Sequence, residues 1–136
     1  MEYITQNPRE TKKLAAKFLA ENSDARLFGL VGELGSGKTV FVKGIAKALE
    51  IKKNITSPTF VIEKIYPGQS RQLVHIDAYR LSSGQDLAAI GYDELAADKN
   101  NLIFIEWPER VFSQFPADMK TINFEYIDED KRKISF

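Results

Sequence analysis

The 136-residue sequence predicts a three-layer α/β sandwich: a mainly parallel sheet with antiparallel strands at its edges and helices on both faces. Three observations carry that expectation. Short, wholly apolar runs at 27–31 and 102–105 have the character of strands buried on both sides. Stretches with apolar residues at helical spacing are interleaved with the strands along the chain. The C-terminus, by contrast, alternates residue by residue on either side of Asp128-Glu129-Asp130, the pattern of an antiparallel hairpin.

Each element has its own local signal. Asn7-Pro8-Arg9-Glu10 starts the first helix: Asn7 caps it, Pro8 suits the first helical position, and Glu10 reaches back to the cap. Leu14, Ala15, Phe18 and Leu19 then share one face. Residues 27–31 form a strand that stops at Gly32. Residues 39–49 return to helical spacing, with Phe41, Ile45, Ala48 and Leu49 as the apolar stripe. Residues 59–66, rich in β-branched and aromatic side chains, predict a strand closed by the Pro67-Gly68 turn. A strand at 73–76 ends at Asp77. One or two short helices, broken near Gly91, occupy 84–99, and the strand 102–105 ends at Glu106. The hairpin pairs 121–127 with 132–136. No repeat, linker or low-complexity tract interrupts these elements, so one domain is expected over residues 1–136.

Composition narrows the chemistry. Cysteine is absent, which removes disulfides, thiolate metal sites and a cysteine nucleophile. No apolar run approaches the roughly 20 residues that cross a bilayer, and Met1 to Pro8 holds no apolar signal segment. The expectation is a cytoplasmic protein with no membrane partner. Lysine plus arginine and aspartate plus glutamate number 19 each, for a formal net charge of zero. Proteins that hold nucleic acid unaided draw much of their affinity from phosphate neutralisation and show a basic excess. The balance here argues against independent nucleic-acid binding.

Gly32-Glu33-Leu34-Gly35-Ser36-Gly37-Lys38-Thr39 follows the pattern G-x-x-x-x-G-K-[ST] of a phosphate-binding loop. Glycines admit backbone conformations closed to other residues, so successive N–H groups turn inward toward an anion. The helix beginning after Gly37 adds its positive dipole end. Lys38 brings a point charge for the β- and γ-phosphates, and the Thr39 hydroxyl is a hard oxygen ligand for Mg2+. An accidental match is expected on the order of once in a few hundred chains of this length. Here the motif also lies between an apolar strand and an amphipathic helix, as its mechanism demands. The sequence therefore predicts a P-loop NTPase domain that takes ATP and Mg2+.

Such a site needs an acid for the metal shell and a group that orients the attacking water. In open α/β sheets the chemistry lies at the carboxyl ends of strands, where Asp77 and Glu106 both fall. A lone strand-end acid is ordinarily just a solvated residue; beside a phosphate loop, two of them match two required roles. Glu106 ends the more apolar, hence more central, strand and suits the metal. Asp77 precedes Ala78-Tyr79-Arg80 and suits water positioning. Spacing alone does not decide between these assignments.

Three further segments extend the pattern: Thr56-Ser57-Pro58-Thr59-Phe60, His75-Ile76-Asp77-Ala78-Tyr79-Arg80 and Ile105-Glu106-Trp107-Pro108-Glu109-Arg110. With the phosphate loop, in this order over nearly the whole chain, they resemble the TsaE (YjeE) family, bacterial ATPases needed to form threonylcarbamoyladenosine beside the tRNA anticodon. The resemblance implies that Gly35, Ser36, Gly37, Lys38, Thr39 and Val40 bind the nucleotide, with Thr39 and Glu106 at Mg2+. It implies a part in hydrolysis for Asp77, working with Lys38, and a switch-like loop near the γ-phosphate at Ser57-Pro58-Thr59. Thr11 and Glu109 would approach the base or ribose. Val40 departs from the family's usual threonine, although its backbone N–H remains. The implied partners are the TsaD and TsaB proteins, a transferase that ATP hydrolysis would reset, with tRNA reached only through that complex.

Two other readings stay open. A small-molecule kinase would need an arginine-bearing lid, whereas Arg9, Arg26, Arg71, Arg80, Arg110 and Arg132 look scattered. A nucleotide sensor that does not hydrolyse would need only the loop. Lys38 is expected on a solvent-facing loop. His75 reads as a hydrogen-bonded core group rather than a catalyst. Trp107 is compatible with covering the nucleotide, meeting a partner or plain packing. Asp128, Glu129 and Asp130 form a solvated hairpin tip.

Overall fold

The computed structural model describes residues 1–56 and 62–136. In chain order the elements are β1 (Glu2–Thr5), α1 (Pro8–Glu21), β2 (Leu27–Val31), α2 (Lys38–Ala48), β3 (Glu63–Pro67), β4 (Gln72–Asp77), α3 (Gly84–Ala89), α4 (Tyr92–Ala97), β5 (Asn101–Glu106), a 3-10 turn at Pro108–Arg110, β6 (Lys120–Tyr126) and β7 (Arg132–Ser135). Among the described residues the strands form one sheet in the order β1-β7-β6-β2-β5-β4-β3. The four central strands β6, β2, β5 and β4 run parallel. β3 is antiparallel at one edge, and β7 and β1 are antiparallel at the other.

The apolar patterns explain the layering. β5 is buried at all six positions and β2 at four of five, as strands covered on both faces must be. On one face α1 and α2 close over Phe18, Phe28, Phe41 and Phe104, with the Phe28 and Phe104 rings stacked at 4.5 Å. On the other, α3 supplies Leu87 and partly buried α4 residues pack over Val74, Ile76, Ile103 and Ile105. Gly44 sets the closeness of the helix pair: a Cβ there would stand 2.7 Å from the Lys12 Cα.

Most local signals act as expected. Asn7 Oδ1 accepts from the Glu10 N–H at 2.9 Å, and Pro8 takes the first helical position. The Glu10 carboxylate reaches one residue past the cap, accepting from the Gln6 N–H at 2.6 Å. α3 and α4 break at Gly91, which adopts a left-handed φ of 84°. Three details differ. In α2 the buried stripe is Phe41, Val42, Ile45 and Ala46, while Ala48 faces solvent. Of the strand expected over 59–66, residues 59–61 lie outside the described residues; β3 runs Glu63–Pro67, with Pro67 inside it because its partner Gln72 extends β4 by one residue. Ser57–Pro58–Thr59 lies outside the described residues. β1 has no signal in the sequence: its four residues, of which only Thr5 is buried, acquire strand structure by pairing with β7. No helix among the described residues is long and apolar enough to cross a membrane.

Candidate functional site

The loop between β2 and α2 is shaped by its glycines. Gly35 and Gly37 adopt φ of 76° and 104°, a region that side chains rarely enter. Gly32 is required for space, since a Cβ would lie 2.7 Å from both the Phe124 carbonyl oxygen and the Ser36 Oγ. Lys38 opens α2, so the first amides of that helix lack intrahelical partners and point toward the loop. The Ser36 hydroxyl is buried there with no hydrogen-bond partner among the described residues. A concavity rich in unused donors is suited to an anion.

Strand register brings the acids to the loop. β2 pairs with β5 so that Leu30 stands opposite Glu106, and β5 pairs with β4 so that Glu106 stands opposite Asp77. Both carboxylates therefore sit at the carboxyl ends of adjacent parallel strands. His75 holds the first of them, with its Nε2 2.6 Å from Glu106 Oε2. This confirms a hydrogen-bonded core role for the histidine. Asp77 is half-buried, and burial raises its carboxyl pKa, opposed chiefly by a hydrogen bond from the Tyr79 N–H at 3.0 Å.

Lys38 does not stand in solvent as the loop position suggested. It is only 4 % exposed. Its Nζ donates to the Gly32 carbonyl, lies 4.0 Å from Glu106 Oε1 and sits 4.1 Å from the Trp107 ring centroid. Burial lowers its pKa, while the carboxylates of Glu106 and Asp77 oppose that shift. Trp107 reaches this position through a left-handed backbone (φ 59°), uncommon for a bulky side chain. Its ring meets Tyr79 edge-on at 5.1 Å, and Arg110 lies 4.8 Å from the Tyr79 ring. Two rings, Tyr79 and Trp107, thus lie between Arg110 at the rim and Lys38 inside.

A cavity of about 630 Å³ unites these groups, within the size range of ligand sites. Of the expected residues, Gly35, Gly37, Lys38, Thr39, Val40, Asp77 and Glu106 line it. Ser36 is buried beside them. Thr11 and Glu109 do not line it. Thr11 is buried against Thr5, with the hydroxyls 2.7 Å apart, and so fastens α1 to β1; Glu109 is exposed on the 3-10 turn. Sequence reasoning missed Arg132, which lines the cavity from β7 and donates from Nε to the Gly35 carbonyl at 3.1 Å. Three of the six arginines gather in space: Arg80 and Arg132 both line the cavity, and Arg110 joins the rim through Tyr79.

A glycine-shaped loop of this sequence, at the end of a central parallel strand, defines the class: a P-loop nucleotide-binding protein. The model of the family described as "Threonylcarbamoyl adenosine biosynthesis protein TsaE" matches residues 5–134. The chain belongs to the TsaE family. A Treponema pallidum protein named tRNA threonylcarbamoyladenosine biosynthesis protein TsaE is 36% identical over 138 residues, covering 99% of this chain and 98% of that one. The Bacillus subtilis protein of the same name is 33% identical over 136 residues, covering 100% and 84%. The crystal structure of Bacillus subtilis YdiB superposes with a TM-score of 0.79 at 30% identity, covering 98% of this chain and 82% of that one.

Proposed function

We propose that this chain binds ATP with Mg2+ and hydrolyses it in the cytoplasm, in the service of threonylcarbamoyladenosine formation in tRNA. The observation that carries this reading is the register that places Asp77 and Glu106 side by side at the mouth of the phosphate loop, in one cavity with Lys38. The names of the relatives supply the pathway.

The donors suit the ions. Two carboxylates and the Thr39 hydroxyl are hard oxygen ligands, too few to cage a metal alone. That is the usual way of holding Mg2+, which shares its shell with water and phosphate oxygens. Among the described residues there is no cluster of three or more His, Cys, Asp or Glu that could hold a metal. Thr39 and Glu106 would hold the ion, and when bound it would neutralise charge on the phosphate oxygens. His75 engages Glu106 Oε2, which leaves Oε1 facing Lys38 and the cavity. Residues 35–40 cradle the phosphates, with Lys38 exchanging the Gly32 carbonyl and the Trp107 face for a phosphate oxygen. Asp77, the acid whose burial favours a proton, orients the attacking water.

Nothing in the net charge supplies a grip on RNA, so tRNA is reached through TsaD and TsaB. Phosphate release should rise at least about tenfold when those proteins are added, since a partner that completes a P-loop site can contribute far more. Asp77→Asn should still join the complex but show no such rise; equal rates with and without partners would refute the reading. The kinase alternative draws support from the arginines gathered at the rim. An acceptor screen with labelled ATP separates the two: hydrolysis yields only free phosphate, a kinase yields a labelled product.

A further inference from the structure

We propose that the groove between α1 and α2 seats an acidic amphipathic helix of a partner protein. The formal charge of the chain is zero, but its cations are not spread evenly. A cavity of about 700 Å³ runs between the two helices, and Arg9, Lys12, Lys13 and Lys47 line it with no acidic side chain among them. A second cavity of about 480 Å³ shares Lys12 and Lys47 and adds Lys43, Lys52 and Lys53, against the one acid Glu50. Ala48, which lines the groove, lies roughly 15 Å along α2 from Lys38. No residue of either cavity lines the nucleotide site.

The fold itself accounts for little of this charge. Among the described residues none of the seven cations has a side-chain ion pair or hydrogen bond. Lys13 follows Arg9, and Lys47 follows Lys43, by four positions on one helix, where like charges weaken it. Arg9 stands in the first turn of α1, the end at which the dipole disfavours a cation. Only Lys47, in the last turn of α2, complements its own helix. The shape of the groove says which anion suits it. Pro8, Ala16, Gly44 and Ala48 give it an apolar lining without bulk, between Arg9, Lys12 and Lys13 on α1 and Lys47 on α2. A helix with a small apolar face flanked by carboxylates fits both features. Nucleic acid fits worse: neither cavity has an aromatic residue to stack a base, and six of the seven cations are lysines rather than the guanidiniums that grip phosphate bidentately.

The test is fluorescence anisotropy with the full chain and a labelled peptide of about 15 residues, stapled into a helix. It carries alanine and leucine on one face and glutamate on both flanks; a twin has glutamine for every glutamate. The acidic peptide should bind at least about tenfold tighter than its twin, and Lys12→Glu combined with Lys47→Glu should remove that preference. Ala48→Trp fills the groove without changing its charge and should weaken the acidic peptide about tenfold; Ala16→Phe repeats this from the other helix. Equal binding of the two peptides overturns the proposal, and so does wild-type affinity in both groove-filling variants. Tighter binding of a single-stranded RNA oligonucleotide or of phosphatidylglycerol vesicles overturns the choice of partner. Sedimentation of the wild type as an oligomer that the double charge reversal dissociates also overturns it, in favour of a second copy. The groove shares no residue with the nucleotide site, so failure here leaves the reading of that site standing.

Discussion

Replacing His75 with leucine tests whether Glu106 is held in place or merely present. His75 is fully buried and Glu106 is 4 % exposed, with 2.6 Å between Nε2 and Oε2. An ionised carboxylate only accepts, so Nε2–H is the donor. Leucine keeps similar bulk and strands a buried carboxylate oxygen, a loss of about 1.5–3 kcal/mol for a hydrogen bond to a charged group. His75 Nδ1 has no partner among the described residues, so removing the ring relieves about 1 kcal/mol of that loss. The net effect is about 0.5–2 kcal/mol, a fall in Tm of roughly 2–7 °C for a chain of this size. A double-mutant cycle with Glu106→Leu, followed by urea unfolding, isolates the pair from that offset. Coupling of about 1 kcal/mol or more is expected; additivity within about 0.5 kcal/mol would refute the reasoning. His75→Leu should also weaken the Mg2+-dependent part of ATP binding by about 10- to 100-fold, the usual effect of releasing a metal-holding group.

Lys38→Ala should lower ATP affinity at least about tenfold by calorimetry, the loss of one charge-assisted contact. Trp107 is the sole tryptophan and faces the Lys38 ammonium, so its emission should change when tripolyphosphate binds the wild type and stay constant in the Lys38→Ala variant. Asp77→Asn should raise the Tm at pH 7. Burial raises the Asp77 pKa, so the ionised form costs the folded state stability, a cost that appears as pH rises above the ordinary carboxylate value. The gain should vanish below about pH 4, where the unfolded chain is protonated as well. A destabilising Asp77→Asn at pH 7 would show that burial is not the governing effect.

The cradle was legible because its causes are local. Gly35 and Gly37 carry their backbone freedom wherever they stand, and two strands that end in acids deliver those acids to the same edge once they pair in parallel. What escaped depends on distant chain. Arg132 looks like any hairpin residue until the fold lays it against Gly35, 97 positions away. A loop lysine carries no mark of the tryptophan that will cover it. The family resemblance puts Thr11 near the base or ribose, whereas its contact with Thr5 carries no sequence signal, because β1 has none of its own.

The pairing of β1 with β7 imposes an order on biosynthesis. β1 and β7 pair antiparallel from Glu2 with Ser135 to Thr5 with Arg132, at one sheet edge. Domains form from the N-terminus as the ribosome delivers them, yet β1 must wait, unpaired, for a strand made more than a hundred residues later. That same late strand carries Arg132 to Gly35. A nascent chain that has made only β1 through β6 already owns its glycines, Lys38 and both acids but lacks the arginine that bonds the Gly35 carbonyl. Completing the sheet edge and completing the cradle are one event, and a chain stalled before it is left with an open edge and an unbraced loop.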